Sequence, residues 1–409
     1  MTNIERSTSV DYAIQAALKE IRELGLDFSI KDIGRYIKTH ICILYKNGDE
    51  LTRGNGKGID NQSKASALYE ALEHFISENE VLDGSKKMKI QHVVEQSQAI
   101  RDEKVFELLM KSYPDYRVPV KEYFDLREEG NVIYYPSFLT NPSHCIDQPP
   151  DDLFYKNYSK YSSNNGTAIG CCKEEALVHS ICELIERDAF SCFLLESFIS
   201  RNPKPMKIVD KKRLPEKLEY LIDNVHSELE RDFYILDITS DFQIPVFLCV
   251  MENKNLLPPY IGCGASLSPY YALERALLEL VQVYHLYNEY YEVLKKEDEL
   301  ILKKFSTLKK YKNCVDFDIS GGLFEKNNNI MININEEKIN NDSLEDYLNI
   351  LINKVTNNGF EIYANVLYSS KSDITCVNCI IPGLERFHLV RHGSLVLPSL
   401  RGRNILVNA

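Results

Sequence analysis

Glu175-Ala176-Leu177-Val178-His179-Ser180-Ile181-Cys182-Glu183-Leu184-Ile185-Glu186-Arg187-Asp188 is the stretch on which the reading of this chain turns. At about 100° per residue, helix positions i, i+4 and i+7 fall within roughly 60° of one another. Glu175, His179, Glu183 and Glu186 therefore share one face of a helix whose Ala, Leu and Ile content would otherwise make it core. Two other stretches repeat the pattern. Ser66, Glu70 and Glu73 share a face in Ser66-Ala67-Leu68-Tyr69-Glu70-Ala71-Leu72-Glu73, and Arg275, Glu279 and Gln282 share one in Arg275-Ala276-Leu277-Leu278-Glu279-Leu280-Val281-Gln282. One such stripe usually marks a solvated helix face or a surface ion-pair network. Three, each on an apolar helix, point to carboxylates converging on cations.

A small-residue segment precedes each striped helix. Arg53-Gly54-Asn55-Gly56-Lys57-Gly58 comes before the first, Ser162-Ser163-Asn164-Asn165-Gly166-Thr167-Ala168-Ile169-Gly170 before the second, and Gly262-Cys263-Gly264-Ala265-Ser266 before the third. We read these as loops. A glycine-rich loop with a lysine, opening a helix, offers phosphate its backbone N–H groups and a charge. It is not a Walker A loop, because Gly58 follows Lys57 where Ser or Thr is required.

The striped helices are expected at about 64–79, 173–198 and 269–295. Asp11 to Leu24 reads as an amphipathic helix with Asp11 as N-cap. Thr39 to Tyr45 is β-rich and followed by the hairpin signal Asn47-Gly48-Asp49. Phe233 to Asp237, Pro245 to Val250, Glu361 to Leu367 and Val377 to Ile381 read as strands. The fold class is α/β (α+β), a single interwoven domain of repeated strand/helix units with acidic helices converging on a nucleotide site. We expect an N-terminal helical extension at 1–30, the catalytic domain at 31–390 and a C-terminal tail at 391–409. Glu325 to Asp342, rich in Asn, Ile, Glu and Lys, reads as a mobile surface insertion.

Composition narrows the function. A net charge of −12 supplies no basic field to neutralise nucleic-acid phosphates. No run of eighteen apolar residues suggests a membrane span, and the polar N-terminus lacks a signal-peptide core, so a cytoplasmic location is expected. Eleven cysteines, an odd number spread along the chain, read as buried thiols. Cys376-Val377-Asn378-Cys379 has no second half for a tetrahedral zinc site.

Magnesium takes oxygen ligands, commonly one or two carboxylates plus phosphates. Glu70, Glu73, Glu183 and Glu186 could hold several such ions, with Lys57, Arg187 and Arg275 as fixed positive charge against phosphate oxygens. Ser66, Ser162, Asn165 and Gln282 suit ribose, base or phosphate. A hydrolytic zinc site is poorly supplied, because His179 is the one histidine on the stripes. The plainer reading of His179 is a packed histidine orienting Glu175 or Glu183.

These segments, with Asn165-Gly166-x-Ala168-x-Gly170 and Pro382-Gly383-Leu384-Glu385, resemble the YcaO family in motif and in motif order, from about residue 31 to 390. The resemblance implies an enzyme that uses ATP and Mg²⁺ to phosphorylate the oxygen of a peptide backbone amide in a ribosomally made precursor peptide. By position, Glu70, Glu73, Glu183 and Glu186 match its magnesium ligands. Lys57, Ser66, Ser162, Asn165, Arg187, Glu279 and Gln282 match its nucleotide contacts, and no catalytic acid or base is assigned. The first product reading is heterocyclisation of Cys, Ser or Thr to thiazoline or oxazoline. The alternatives are a thioamide from sulfide with a TfuA-like partner, an amidine, and a non-catalytic peptide-binding subunit. His74 stands where the family usually has arginine, which weakens one ion pair without removing a metal ligand; separately, Arg401 to Ala409 lacks the proline-rich tail of many azoline formers, and that absence favours the thioamide or amidine alternatives. Too little chain precedes residue 31 for a fused leader-binding domain. A separate ubiquitin-activating-enzyme-like or TfuA-like protein is therefore expected to deliver the substrate, to a homodimer on the family resemblance.

Overall fold

The hairpin signal at Asn47-Gly48 closes the first sheet. Both residues have positive φ, 55° and 89°, as a tight two-residue turn between strands requires. They join β2 (Thr39–Lys46) to β3 (Asp49–Gly56), and β1 (Asp27–Ile33) pairs with the other edge of β2. In this computed structural model, residues 5–80, 86–128, 130–146, 152–251, 260–317, 329–335, 343–371 and 373–408 are described.

Two further sheets form among the described residues. One has the order β11-β10-β9-β8-β12, from β8 (Lys207–Val209), β9 (Phe233–Asp237), β10 (Val246–Met251), β11 (Ile261–Ala265) and β12 (Ile330–Ile332). The other runs β4-β5-β13-β14-β7, with β6 also on β5. Its strands are β4 (Lys87–Lys89), β5 (Arg117–Asp125), β6 (Val132–Pro136), β7 (Thr167–Gly170), β13 (Tyr363–Ser369) and β14 (Thr375–Ile380). The described pairings are antiparallel except β8 with β12. The architecture is a mixed helix-and-sheet single domain.

Four helices frame the polar stripes: α1 (Val10–Glu23), α2 (Asn61–Glu78), α3 (Lys173–Leu194) and α4 (Pro269–Glu289). Ser9, not Asp11, caps α1, its hydroxyl accepting from the Tyr12 N–H at 3.3 Å. Asp11 lies in the first turn, where its charge favours the positive helix end. The third striped helix ends at Glu289 rather than near 295, and a separate helix, Tyr291–Lys304, follows. The C-terminal segment is a helix, Leu400–Asn408, fastened by a two-point ion pair from Arg401 to Asp188 at 2.8 and 2.9 Å. The insertion expected at Glu325 to Asp342 lies mostly outside the described residues. Its described part contains β12, which pairs with β8. β1 spans residues 27–33 and ties the segment after α1 into the first sheet.

The segments read as glycine-rich loops are largely strands. Gly54 and Gly56 lie on β3, Gly262 and Gly264 on β11, and Gly170 ends β7. The physical reason is close approach. A Cβ on Gly54 would stand 2.2 Å from the Ala71 nitrogen of α2, and one on Gly262 2.2 Å from the Leu280 nitrogen of α4. Absence of a side chain lets each helix lie directly on the strand before it. The first and third striped helices thus belong to similar units, a hairpin followed by a helix on its second strand. The local sequence signal of glycine is a turn; only the tertiary contact reveals this use.

Among the described residues, three apolar clusters fill the interior. The largest joins α3 to the six-stranded sheet. A second lies between α4, the helix Glu216–Leu229 and the five-stranded sheet. The third lies between α1, α2 and the first sheet. All eleven cysteines are free thiols, and Cys376 and Cys379 are buried on β14. Among the described residues, no helix is long and apolar enough to cross a membrane. Gly54→Ala is expected to cost about 1–3 kcal/mol by overpacking, whereas the exposed Asp223→Ala should stay within about 0.5 kcal/mol. Denaturant titration of both variants checks this, and an unaltered midpoint for Gly54→Ala would remove the close-packing account.

Candidate active site

Packing one face of α2, α3 and α4 against the sheets turns the polar stripes toward a shared space. Ala67, Leu68, Ala71 and Leu72 of α2 are fully buried, which leaves Ser66, Glu70 and Glu73 on the opposite side. The space is a cavity of about 1850 Å³. All eleven residues nominated from the sequence line it: Lys57, Ser66, Glu70, Glu73, Ser162, Asn165, Glu183, Glu186, Arg187, Glu279 and Gln282. Asp188, next on α3, points the other way, fully buried against Arg401.

Several polar groups are already engaged. Lys57 forms a short ion pair with Glu279. Gln282 donates its side-chain amide to the Asn55 carbonyl, and the Ser162 hydroxyl donates to that of Phe138. Asn165 Nδ2 stands 2.8 Å from His388 Nε2. Arg187 lies 3.4 Å from Glu186 and 3.8 Å from Glu183, and Glu183 accepts from the Gly166 N–H at 3.0 Å. His74, the departure from the family arginine, faces the carbonyl of Arg53 at 2.9 Å through Nδ1.

Electrostatics separates the carboxylates. Recession from water pushes Glu70 up, offset in part by His74. It pushes Glu73 well up, and the nearby charges of Glu183 and Glu70 push it further. Glu183 and Glu186 are also raised by burial, against the pull of Arg187. For Glu279, burial acts upward, but Lys57 and Arg187 outweigh it and hold the group below its ordinary value. So Glu279 is balanced by cations, whereas Glu73 faces like charge. Among the described residues, no three His, Cys, Asp or Glu side chains stand close enough to hold a metal ion on their own.

Sequence reasoning missed some of the wall. Arg6 donates to Glu175 at 2.9 Å, and Ser7 donates to the same carboxylate through its backbone N–H and its hydroxyl. Glu175 is thus neutralised from the N-terminal segment, which carries no local pattern that could have flagged it. His388 was legible in part, three residues beyond Pro382-Gly383-Leu384-Glu385. Burial and Arg187 keep it uncharged, and its Nδ1 pairs with Ser191 at 3.0 Å. Glu385 itself does not line the cavity. It is pushed up to about 7 by burial, and it accepts from the N–H groups of Ser399 and Gly402, holding the C-terminal segment. His179 does not orient Glu175 or Glu183; its Nδ1 faces Arg275 Nη2 at 3.3 Å.

A large cavity with converging carboxylates, guanidinium groups and amides defines a class of site suited to a charged, oxygen-rich ligand. The comparisons name the family. Residues 55–385 match the family model described as YcaO cyclodehydratase, ATP- and Mg²⁺-binding. The chain belongs to the YcaO family, whose cofactors are ATP and Mg²⁺. It is 27% identical over 249 residues to an uncharacterized protein in the tfuA 3′ region of Rhizobium leguminosarum bv. trifolii. It is 26% identical over 242 residues to an uncharacterized protein of Methanothermobacter thermautotrophicus. These matches cover 58% and 56% of this chain and 56% of each relative, so the chain spans little over half the length of both. Among solved structures, it is similar to YcaO from Methanopyrus kandleri bound with AMPPCP and Mg²⁺, with TM-score 0.65, 18% identity and coverage of 97% and 98% of the two chains. It is also similar to a heterocyclase in complex with substrate and cofactor, with TM-score 0.68, 19% identity and coverage of 94% of this chain and 54% of the other. A third similarity is to the E. coli microcin synthetase McbBCD complex with pro-MccB17 bound, with TM-score 0.61, 16% identity and 88% coverage of each chain.

The carboxylate cluster predicts a pH effect on the metal-free protein. A raised carboxyl binds its proton more tightly folded than unfolded. Its contribution to stability is complete below the ordinary value of 4.5 and is lost as pH rises through the raised value. Glu73→Gln, with chelator present, is therefore expected to melt increasingly above the wild type as pH rises from 4.5 to neutrality. A melting difference independent of pH would contradict the like-charge account.

Proposed function

We propose that this chain binds ATP and Mg²⁺ in the cavity and uses ATP to O-phosphorylate a backbone amide of a ribosomally made peptide. The observation that carries the reading is the convergence of four raised carboxylates with Lys57 and Arg187 in one space of about 1850 Å³. Glu70, Glu73, Glu183 and Glu186 would hold Mg²⁺. The fit is chemical: all donors are hard oxygens, and Glu73 faces carboxylates that a divalent cation would balance. Such an ion usually takes one or two carboxylates, with phosphate and water completing its shell, so no three-carboxylate cage is needed. Bound Mg²⁺ would supply charge neutralisation on the phosphates.

Lys57, Ser66, Ser162, Asn165, Arg187, Glu279 and Gln282 would face the nucleotide. Lys57 and Gln282 would exchange their bonds to Glu279 and Asn55 for contacts with it. An amide oxygen is a poor leaving group, and phosphorylation makes it a good one. The residues' task is then largely to orient peptide against phosphate and to match charge as it develops.

Three nucleophiles could complete the reaction. The solved heterocyclase and the microcin synthetase are 19% and 16% identical to this chain and share its fold. The relative at 27% identity lies in a tfuA region. The closer sequence likeness favours sulfide as nucleophile, a thioamide product and a TfuA-like partner, over the heterocycle that was the first expectation.

The test is ATP turnover by purified protein with candidate peptide and partner. Glu70→Ala and Glu186→Ala are each expected to lower it by about a hundredfold or more, with folding retained. Turnover untouched by both changes would sink the site assignment. Mass spectrometry reads the product: exchange of oxygen for sulfur marks a thioamide, and loss of one water marks a heterocycle.

A further inference from the structure

His179 is the cavity-lining imidazole of α3, on the same stripe as Glu183 and Glu186. Its Nδ1 lies 3.3 Å from Arg275 Nη2. A guanidinium only donates, so Nδ1 is the acceptor and carries no proton. In a neutral ring the proton must then sit on Nε2. Nε2 has no hydrogen-bond partner among the described residues and is not among their buried unsatisfied atoms, so it opens onto the cavity.

Other features keep the ring in this state. Burial first, then Arg275, Arg6 and Lys57, push its affinity for a second proton well down. These cations come from three separate parts of the chain and face the ring from outside α3. Arg275 is itself 8% exposed, its Nε is buried without a hydrogen-bond partner, and the nearby Tyr271, Glu5 and Glu186 favour its charged form. The guanidinium therefore stays charged, and its Nη2 holds the imidazole's orientation.

We infer that His179, fixed by Arg275 as the Nε2–H tautomer, is a catalytic hydrogen-bond donor to the reacting amide oxygen of the peptide. This rests on the amide-activation reading above. An amide oxygen has two lone pairs. One accepts from Nε2–H, and the other is free to form the bond to the γ-phosphorus of ATP as the bond to ADP breaks. A charged imidazolium is a far stronger acid and would compete with phosphorus for that oxygen. A neutral N–H polarises the carbonyl toward the nucleophile and keeps its proton throughout. The assignment supplies the reacting group that the carboxylate stripes do not.

The experiment uses the full chain with peptide and partner. His179→Leu removes the donor and should lower peptide-dependent turnover about a hundredfold while leaving nucleotide affinity unchanged. His179→Gln, which can still donate from its amide, should recover part of the loss. NMR of isotope-labelled histidine nitrogens in the wild type, at neutral pH, should show the Nε2–H tautomer, and Arg275→Met should release it. Wild-type turnover in His179→Leu, nucleotide affinity falling in step with turnover, or an Nδ1–H tautomer would each overturn the inference. If the wild type shows no ATP turnover at all, the proposed function fails instead, and the tautomer measurement still decides the assignment of the ring.

Discussion

Helix against glycine strand, backbone to backbone, is the constraint on which the site depends. α2 lies on β3 and α4 on β11 with no space for a Cβ between them. That contact fixes the height and rotation of each helix. Because the side-chain stripe on a helix is rigidly related to its packing face, the same contact aims Glu70 and Glu73 from one side and Glu279 and Gln282 from another. α3 supplies the third side from the six-stranded sheet through its own apolar face. Precision at the cavity is thus inherited from the strands beneath.

The charge gathered there works against folding. Glu73 is recessed and faces like charge, while Glu279 is held ionised by Lys57 and Arg187. The two conditions have different uses. A carboxylate short of cations attracts them, and one already satisfied positions its lysine. The N-terminal segment contributes in the same way at the edge of the cavity, where Arg6 and Ser7 satisfy Glu175. Glu5 accepts from Ser266 at 2.5 Å and from Tyr347, which ties that segment to the wall on the other side.

Much of this was legible in the sequence because helical periodicity survives any tertiary context. The spacing of three residues already places Glu70 with Glu73, and Glu183 with Glu186, on one helix face, and packing on the sheets then brings the two pairs into one cavity. The strand Phe233–Asp237 and the Asn47-Gly48 turn were equally plain, the first from its apolar run and the second from its need for positive φ. Gly54 and Gly262 were misread because the reason for each lies in a helix atom many residues away. Arg6 was invisible for the same reason: its partner is 169 positions distant. The partnership of His179 with Arg275 crosses between two stripes, and no one-dimensional pattern specifies which of several polar neighbours a side chain will meet.

The cavity wall draws on residues from Glu5 to Ser394. Its decisive contacts close loops of 169, 222 and 223 residues, at Glu175, Glu279 and His388. Contacts of such long range are slow to form, because loop closure must precede any gain from them. During synthesis Arg6 waits for Glu175, and Lys57 waits for Glu279. No N-terminal fragment that stops short of α4 holds all three sides of the cavity. The chain's capacity to use its ligand therefore arrives late, and it arrives together with the completed fold.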